Sequence, residues 1–357
     1  MSQQIGYAVI GLDEMVRHAV LPAFARAQDN SRLVAVVAAD RAEAQSAAQP
    51  LHVAGYHYDD FKQCLQRDDV NAVYLTLPSS MRCDYAVEAA RAGAHVLCEV
   101  PMAVTADECR RMLRTSQTNR VKLMIGYRLH FHPAHQRVLE LLREGFIGVP
   151  KTFSSDVTTR IESAQDVRLQ RRLGGGTVYE LGIACINTAR TLFRAEPAQV
   201  MAMTARTSRR YGGDVDESAV GLVRFPDDRL AHFHSSFGEE PSAEFTVFGE
   251  EGSLRLTNAY AHDARMILRR VRKSQVDEET FEPVDQFAAM IGYFSNCVLS
   301  DSPPEPSGYD GLQDVRLVEA IYRSARDGRP VTLPRMVRVE SASAESDLRR
   351  TDNRQAS

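Results

Sequence analysis

Lysine is scarce in this chain of 357 residues. There are four (Lys62, Lys122, Lys151, Lys273) among 43 basic residues, and arginine supplies the rest. Any chemistry that needs a lysine amine therefore has few candidates. The six cysteines (Cys64, Cys83, Cys98, Cys109, Cys185, Cys297) contain no CxxC pair. At this length that argues against a disulfide framework and for reduced, buried thiols in a cytoplasmic protein. No apolar run approaches the roughly 18 residues of a membrane span. The start of the chain lacks the basic segment and small-residue cleavage site of an export signal, so no membrane association or export is expected. There is no excess of positive charge either: 43 basic against 47 acidic residues leaves −4. That excludes a general nucleic-acid binder, which carries a basic face. GxSxG, HExxH and Walker signatures are all missing.

What is present is an ordinary globular composition, 44% hydrophobic and 25% charged. At roughly 150 residues per domain the length suggests about two domains. In the first third, apolar strand-sized runs (Ile5–Ile10, Leu33–Ala39, Ala72–Leu77, Ala94–Cys98, Val121–Gly126) alternate with helical patterns. Continuous apolar strands separated by helices are what a parallel sheet covered on both faces requires. Residues 1–127 are therefore expected to form an α/β, doubly wound, Rossmann-type domain. Thr105 and Glu108 have the spacing of a capping box opening one of its helices. From about residue 128 the pattern changes to consecutive strands with hairpin turns and a few helices. Residues 128–340 are read as an α+β domain with a mainly antiparallel open sheet, and 341–357 as a polar disordered tail.

Five segments together resemble the Gfo/Idh/MocA oxidoreductases (glucose–fructose oxidoreductase, inositol dehydrogenase, rhizopine catabolism), in particular the glucose–fructose oxidoreductase-like branch. They are VIGLDEMVRHAVLPAF (9–24), YLTLPSSMRCDYAVEAARAGAHVLCEVPMAVT (74–105), GYRLHFHP (126–133), LGGGTVYELGIACINTARTLFRAEP (173–197) and AIYRSARDGRPV (320–331). The resemblance implies NAD or NADP in the first domain, hydride exchange with a sugar or polyol, and a second domain whose sheet often serves homo-oligomerisation. Carried over position by position, it offers Gly11, Leu12, Asp40, Leu77, Pro78, Glu99 and Pro101 for the cofactor.

The residues that such chemistry needs are altered one after another. A dinucleotide turn reads G-x-G-x-x-G/A, so that backbone can approach the diphosphate at a helix N-terminus. Here it reads Gly11-Leu12-Asp13-Glu14-Met15-Val16. Like charges about 4 Å apart at an effective dielectric near 20 repel by roughly 4 kcal/mol, on the order of a thousandfold in affinity. Asp13 reads instead as an acidic cap for the first helix. At the end of the second strand, where a polar side chain meets the ribose, stands Ala38, with Asp40 two residues on as a ribose contact or a cap. The resemblance places a lysine between nicotinamide and substrate in Glu-Lys-Pro; this chain has Glu99-Val100-Pro101. Valine neither donates a hydrogen bond nor exchanges a proton. It also implies an aspartate and, four residues on, a histidine or tyrosine acid–base group; here these are Glu180 and Ala184. The resemblance further implies an asparagine and a histidine where Ser79 and Arg82 stand.

His130, His132 and His135 cluster in HFHPAH, but no neighbouring cysteine or carboxylate completes a tetrahedral metal site. They read as a polar wall of the interdomain cleft, with Arg128 pointing into it. Two functions remain. One is a pseudo-oxidoreductase that binds a small sugar-like ligand or a partner such as an active paralogue. The other is an active NAD(P)-dependent sugar oxidoreductase with a shifted catalytic set drawn from Glu180 and Arg128. A third, an enzyme of another class in the remodelled cleft, has no positive motif behind it.

Overall fold

The computed structural model describes residues 3–206 and 214–334. The proposed tail at 341–357, and the last residues before it, lie outside the described residues. The first region builds a six-stranded sheet from β1 (Ile5–Ile10), β2 (Ser31–Ala38), β3 (Ala54–His57), β4 (Ala72–Leu75), β5 (His95–Cys98) and β6 (Leu123–Ile125). Its order is β3-β2-β1-β4-β5-β6, with every pair parallel. β1 is buried along its whole length, as a strand covered on both faces must be. The order reverses beside β1, the switch point where open α/β sheets take their ligands.

Between the strands run a π-helical turn (Val16–Val20) continuing into α1 (Leu21–Ala23), then α2 (Arg41–Ala48), α3 (Phe61–Leu65), α4 (Ser79–Arg91) and α5 (Ala106–Thr118). The capping box is formed: Thr105 accepts from the Glu108 N–H while Glu108 accepts from the Thr105 N–H. The first helix is shorter and wider-wound than an even pattern over 13–27 suggests.

After α6 (Pro133–Arg143) comes a nine-stranded sheet. Its strands are β7 (Pro150–Arg160), β8 (Gln199–Ala205), β9 (Ser218–Arg224), β10 (Leu230–Ser236), β11 (Gly238–Gly249), β12 (Gly252–Thr257), β13 (Met266–Arg272), β14 (Gln275–Phe281) and β15 (Val331–Thr332). The order is β14-β13-β12-β11-β7-β10-β9-β8-β15, antiparallel except for β7 with β10. One face is covered by α7 (Ile183–Phe193), which a π-helical turn (Val178–Gly182) introduces. No helix among the described residues is long and apolar enough to cross a membrane.

Two late helices bind the regions together. α8 (Gln286–Leu299) places Phe287, Met290, Ile291 and Phe294 in the same core as Tyr7, Val9 and Val36. Each large side chain so buried contributes roughly 1.5–3 kcal/mol. Tyr7 shares a 2.7 Å hydrogen bond with Ser295. α9 (Gly308–Asp327) gives Leu312 and Val315 to the first core and Val318 and Ile321 to the second. At the triple glycine the chain packs closely, Gly174 against the first region and Gly176 within the second. A Cβ on Gly174 would overlap the Ser79 hydroxyl at the start of α4, and one on Gly176 would come 2.9 Å from an Asp216 carboxylate oxygen.

Candidate functional site

At the β1 turn, Gly11 has φ +112°, and a Cβ there would lie 2.6 Å from the Leu77 nitrogen and 2.8 Å from the Thr76 hydroxyl. Glycine is required because the β4 loop crosses directly over the turn, held by Leu77 N–H donating to Ile10 O at 3.0 Å. Leu77 is buried there, with Pro78 leading into α4. Asp13 folds onto the helix start, its carboxylate accepting from the Val16 N–H at 2.8 Å. Asp40 caps α2 in the same way, from the Glu43 N–H at 2.8 Å. Glu43 in turn pairs with Arg17.

The turn can be tested against a dinucleotide directly. The chain path and the first glycine match what a diphosphate needs. The charge does not, because Asp13 occupies a helix N–H that an anion would use, Glu14 follows it, and the nearby Arg17 is committed to Glu43. These residues do not fit a dinucleotide diphosphate.

The second half of the cleft is a cavity of about 250 Å³ at the seam of the two sheets. Val100, Leu129, Val157, Ile183 and Ala184 form its apolar wall; Glu99, Glu180, Asn187 and Arg128 supply the polar groups. Val100 and Ala184 thus face the same space. Glu99 accepts from the Tyr74 hydroxyl and, at 3.3 Å, from the Val100 N–H. Burial holds its carboxyl above the usual range, opposed by that hydrogen bond and by Arg82 and Arg128. Arg82 is buried and spans the loop, donating to Leu77 O (2.8 Å), Glu99 O (2.8 Å) and Pro101 O. Glu180, on the π-helical turn, also lines the cavity and is likewise pushed up by burial.

The structure therefore brings Glu99, Val100, Arg128, Glu180 and Ala184 together, and sets Gly11, Leu12, Leu77 and Pro78 on the neighbouring turn. Asp40 lies just past the C-terminal end of β2, on the same sheet edge as the turn, where the Gly11 N–H donates to Val37 O at 2.9 Å. Arg128 is on the wall, its Nη1 and Nη2 donating to Tyr260 O (2.9 Å), Ala261 O (3.3 Å) and Gln286 (2.5 Å). These bonds tie β6's end to α8 and to the segment after β12. The four lysines all lie elsewhere: Lys62 pairs with Glu88, Lys122 with Asp301 and Lys151 with Glu250, while Lys273 sits between β13 and β14.

The histidines are separated in role. His130 meets Asn187 at 3.1 Å, His132 caps α6 through the Ala134 N–H at 3.1 Å, and His135 bonds Ala259 O at 2.6 Å. Among the described residues no group of three His, Cys, Asp or Glu side chains is placed to hold a metal ion. Tyr74, Asn187, Val157 and Tyr260 are absent from the sequence-level candidates. Asn187 had a signal, since Glu180, Ala184 and Asn187 share one helix face at i, i+4, i+7. Tyr74 and Tyr260 had none, because their contacts join distant segments.

The family models for the oxidoreductase family with NAD-binding Rossmann fold (GFO_IDH_MocA) and for its C-terminal domain match residues 5–127 and 135–255. A D-xylose 1-dehydrogenase [NADP(+)] of Haloarcula marismortui is 29% identical over 92% of this chain and 93% of that protein. Crystallographically, an aldose-aldose oxidoreductase from Caulobacter crescentus complexed with glycerol is 32% identical, with TM-score 0.88, covering 93% of this chain and all of that one. A 3-ketoreductase from Actinomadura kijaniata in complex with NADP and TDP-benzene is 25% identical, with TM-score 0.82 over 90% of this chain and 98% of that one. With both of its regions matched by the models and a structural relative aligned along nearly its whole length, the chain belongs to the Gfo/Idh/MocA oxidoreductase family.

Proposed function

We propose that this chain is a pseudo-oxidoreductase: a family member that uses the interdomain cleft to bind a small polar, sugar-like ligand without passing hydride to it. The observation that carries the reading is the shared cavity wall of Val100 and Ala184. Acid–base catalysis of hydride transfer needs a proton donor within hydrogen-bond reach of the reacting oxygen, and neither side chain supplies one. The poor charge match at Asp13 and Glu14 points the same way for NAD or NADP. The relatives' own substrates, D-xylose and other sugars by their names, set the class of ligand to try first.

One observation favours the alternative of an active enzyme with a shifted set. Glu180 presents to the cavity a carboxyl that burial holds above the usual range, as a proton-exchanging group requires. Arg128 belongs to the same set, lining the cavity with its guanidinium held by Tyr260 O, Ala261 O and Gln286. Incubation of purified protein with NADH or NADPH and a panel of aldoses and ketoses, followed by product analysis, separates the two. Absence of turnover is expected, and ordinary turnover with any sugar overturns the proposal.

Self-association through the open face of the second sheet is part of the same reading. Met203 (72% exposed) faces Val220 across strands, and Met201 faces Leu222 (58% exposed), making an apolar stripe. A double substitution, Met203→Asp with Leu222→Asp, is expected to convert a homo-oligomer to monomer in sedimentation analysis. An unchanged oligomer would refute this assignment.

A further inference from the structure

The cavity of about 250 Å³ has charges of both signs in or beside its walls, and they match. Glu99, Glu180 and Arg128 line it. The guanidinium groups of Arg128 and of the neighbouring Arg82 bond only carbonyl oxygens and Gln286, so both stay positive. Arg82 acts on both carboxyls against the rise that burial causes, and Arg128 acts on Glu99. Arg168, which also acts on Glu180, is itself matched by Asp166 at 2.7 Å. A ligand needs no net charge to complete such a site. Polarity is what varies along the wall. On the helix face that looks into the cavity the order is Glu180, Ala184, Asn187: a carboxyl, a methyl and an amide. Val100 joins Ala184 in the apolar stretch. The backbone there is occupied as well, the Val100 N–H donating to Glu99 at 3.3 Å and Ala184 O accepting from the Thr188 hydroxyl at 2.8 Å. A hydroxyl or carbonyl lodged against this stretch leaves water and finds no partner.

We propose that the cleft takes a neutral sugar or cyclitol deoxygenated at one carbon, with a CH₂ or CH₃ group against Val100 and Ala184 and hydroxyls toward Glu180 and Asn187. The inference rests on the reading of this cleft as a ligand site and names the class of ligand. Hydroxyls donate to the Glu180 carboxyl and exchange hydrogen bonds with the Asn187 amide. A carbon without oxygen asks nothing of the apolar stretch and gains by leaving water. Val100 and Ala184 stand where the family resemblance implies a lysine and an acid–base group, so the carbon lodged there is the one that hydride chemistry would address. Without its oxygen, that carbon has no alcohol to oxidise and no carbonyl to reduce. A fully hydroxylated sugar fits the space but strands one hydroxyl. An ionised sugar brings charge into walls already balanced and loses its hydration without return. The cavity holds roughly eight water volumes at about 30 Å³ each, room for one such ring.

The test titrates D-glucose calorimetrically into the full-length protein at neutral pH, beside its monodeoxy counterparts: 1,5-anhydro-D-glucitol and 2-, 3-, 4- and 6-deoxy-D-glucose. One of the deoxy probes is expected to bind about ten- to a hundredfold more tightly than D-glucose. D-glucuronate and D-glucosamine, which carry opposite charges, should bind more weakly than that favoured probe. Val100→Thr combined with Ala184→Ser keeps the shape of the wall and adds two hydroxyls. Checked for folding by its thermal transition, the double variant should bring D-glucose and the favoured deoxy probe to equal affinity. Ala184→Ser alone, a milder change, should narrow the gap. D-glucose binding as tightly as every deoxy probe, tighter binding of either charged probe, no binding of any probe, or a deoxy preference that survives both variants would overturn the inference. Formation of NADPH from NADP⁺ and D-glucose, followed in the same samples, reports separately on the pseudo-oxidoreductase reading. Equal binding without turnover ends this inference and leaves that reading standing, whereas turnover accompanied by a deoxy preference does the reverse.

Discussion

The two halves of the interdomain cleft differ in electrical character. At the β1 turn, charge is present where a diphosphate needs bare N–H groups: Asp13 caps Val16 and Glu14 follows it. In the adjoining cavity the wall is apolar at Val100 and Ala184, where the family resemblance implies a lysine and an acid–base group. Around both, the residues that shape the backbone stand in place: Gly11 at φ +112° beneath Leu77, and the triple glycine against Ser79 and Asp216. The difference teaches that the fold is held by steric requirements which any substitution would violate. Its chemistry is held by charges and donors that can be exchanged without a clash.

The largest expected effect is a restored activity. Asp13→Gly, Val100→Lys and Ala184→Tyr together should give measurable hydride transfer where the proposal expects none from the parent, since an acid–base pair contributes roughly 10²–10⁴-fold. Full turnover from Val100→Lys alone would break the comparison, because it would show that the turn and Ala184 never mattered. Next comes the turn itself. Asp13→Gly should raise NAD(P)H affinity by up to about a thousandfold, while costing only a few tenths of a kcal/mol of capping. Asp13→Asn, which keeps the cap and removes the charge, should recover much of that gain. An unchanged affinity in both variants would show that charge is not what separates this turn from its relatives.

The steric half is sharpened by two glycines that share φ +85°. Gly174→Ala meets Ser79 and Val104, whereas Gly93→Ala meets nothing within 4 Å. Urea unfolding should show a loss of about 3 kcal/mol for the first and about 1 for the second; equal losses would leave only backbone strain as the cause. The smallest readout is a slope. Burial holds the His135 imidazole down at about 3, against a weaker opposing hydrogen bond to Ala259 O. Its folded-state value lies below the ordinary 6.5, so the stability from its neutral burial is complete above about 6.5. It is lost as pH falls toward 3. His135→Gln should flatten the pH dependence of stability across that window, and an unchanged slope would assign the acid sensitivity to other groups.

Much of the fold was legible because it rests on local patterns. The apolar run at Ile5–Ile10 and the Thr105–Glu108 box stand where the sequence puts them. β3 was not legible, being four half-buried residues at the sheet edge with a glycine among them. Nor was β14, an edge strand dense in carboxylates that its pairing with the arginine-rich β13 accommodates. At the site, Val100, Glu180 and Ala184 are readable as departures from the pattern that the resemblance implies. What they face was not: Tyr74 reaches Glu99 across 25 residues and Arg128 reaches Gln286 across 158, and such contacts leave no periodicity in the chain.

The claim that decides most is that the turn at Asp13 no longer accommodates a dinucleotide. Calorimetric titration of the purified full-length protein with NADH and NADPH tests it most directly. No binding up to millimolar cofactor is the expected result, together with no nucleotide released on denaturing the purified protein. Micromolar binding of either cofactor would contradict the account and make Glu180 the first residue to examine as a working acid–base group.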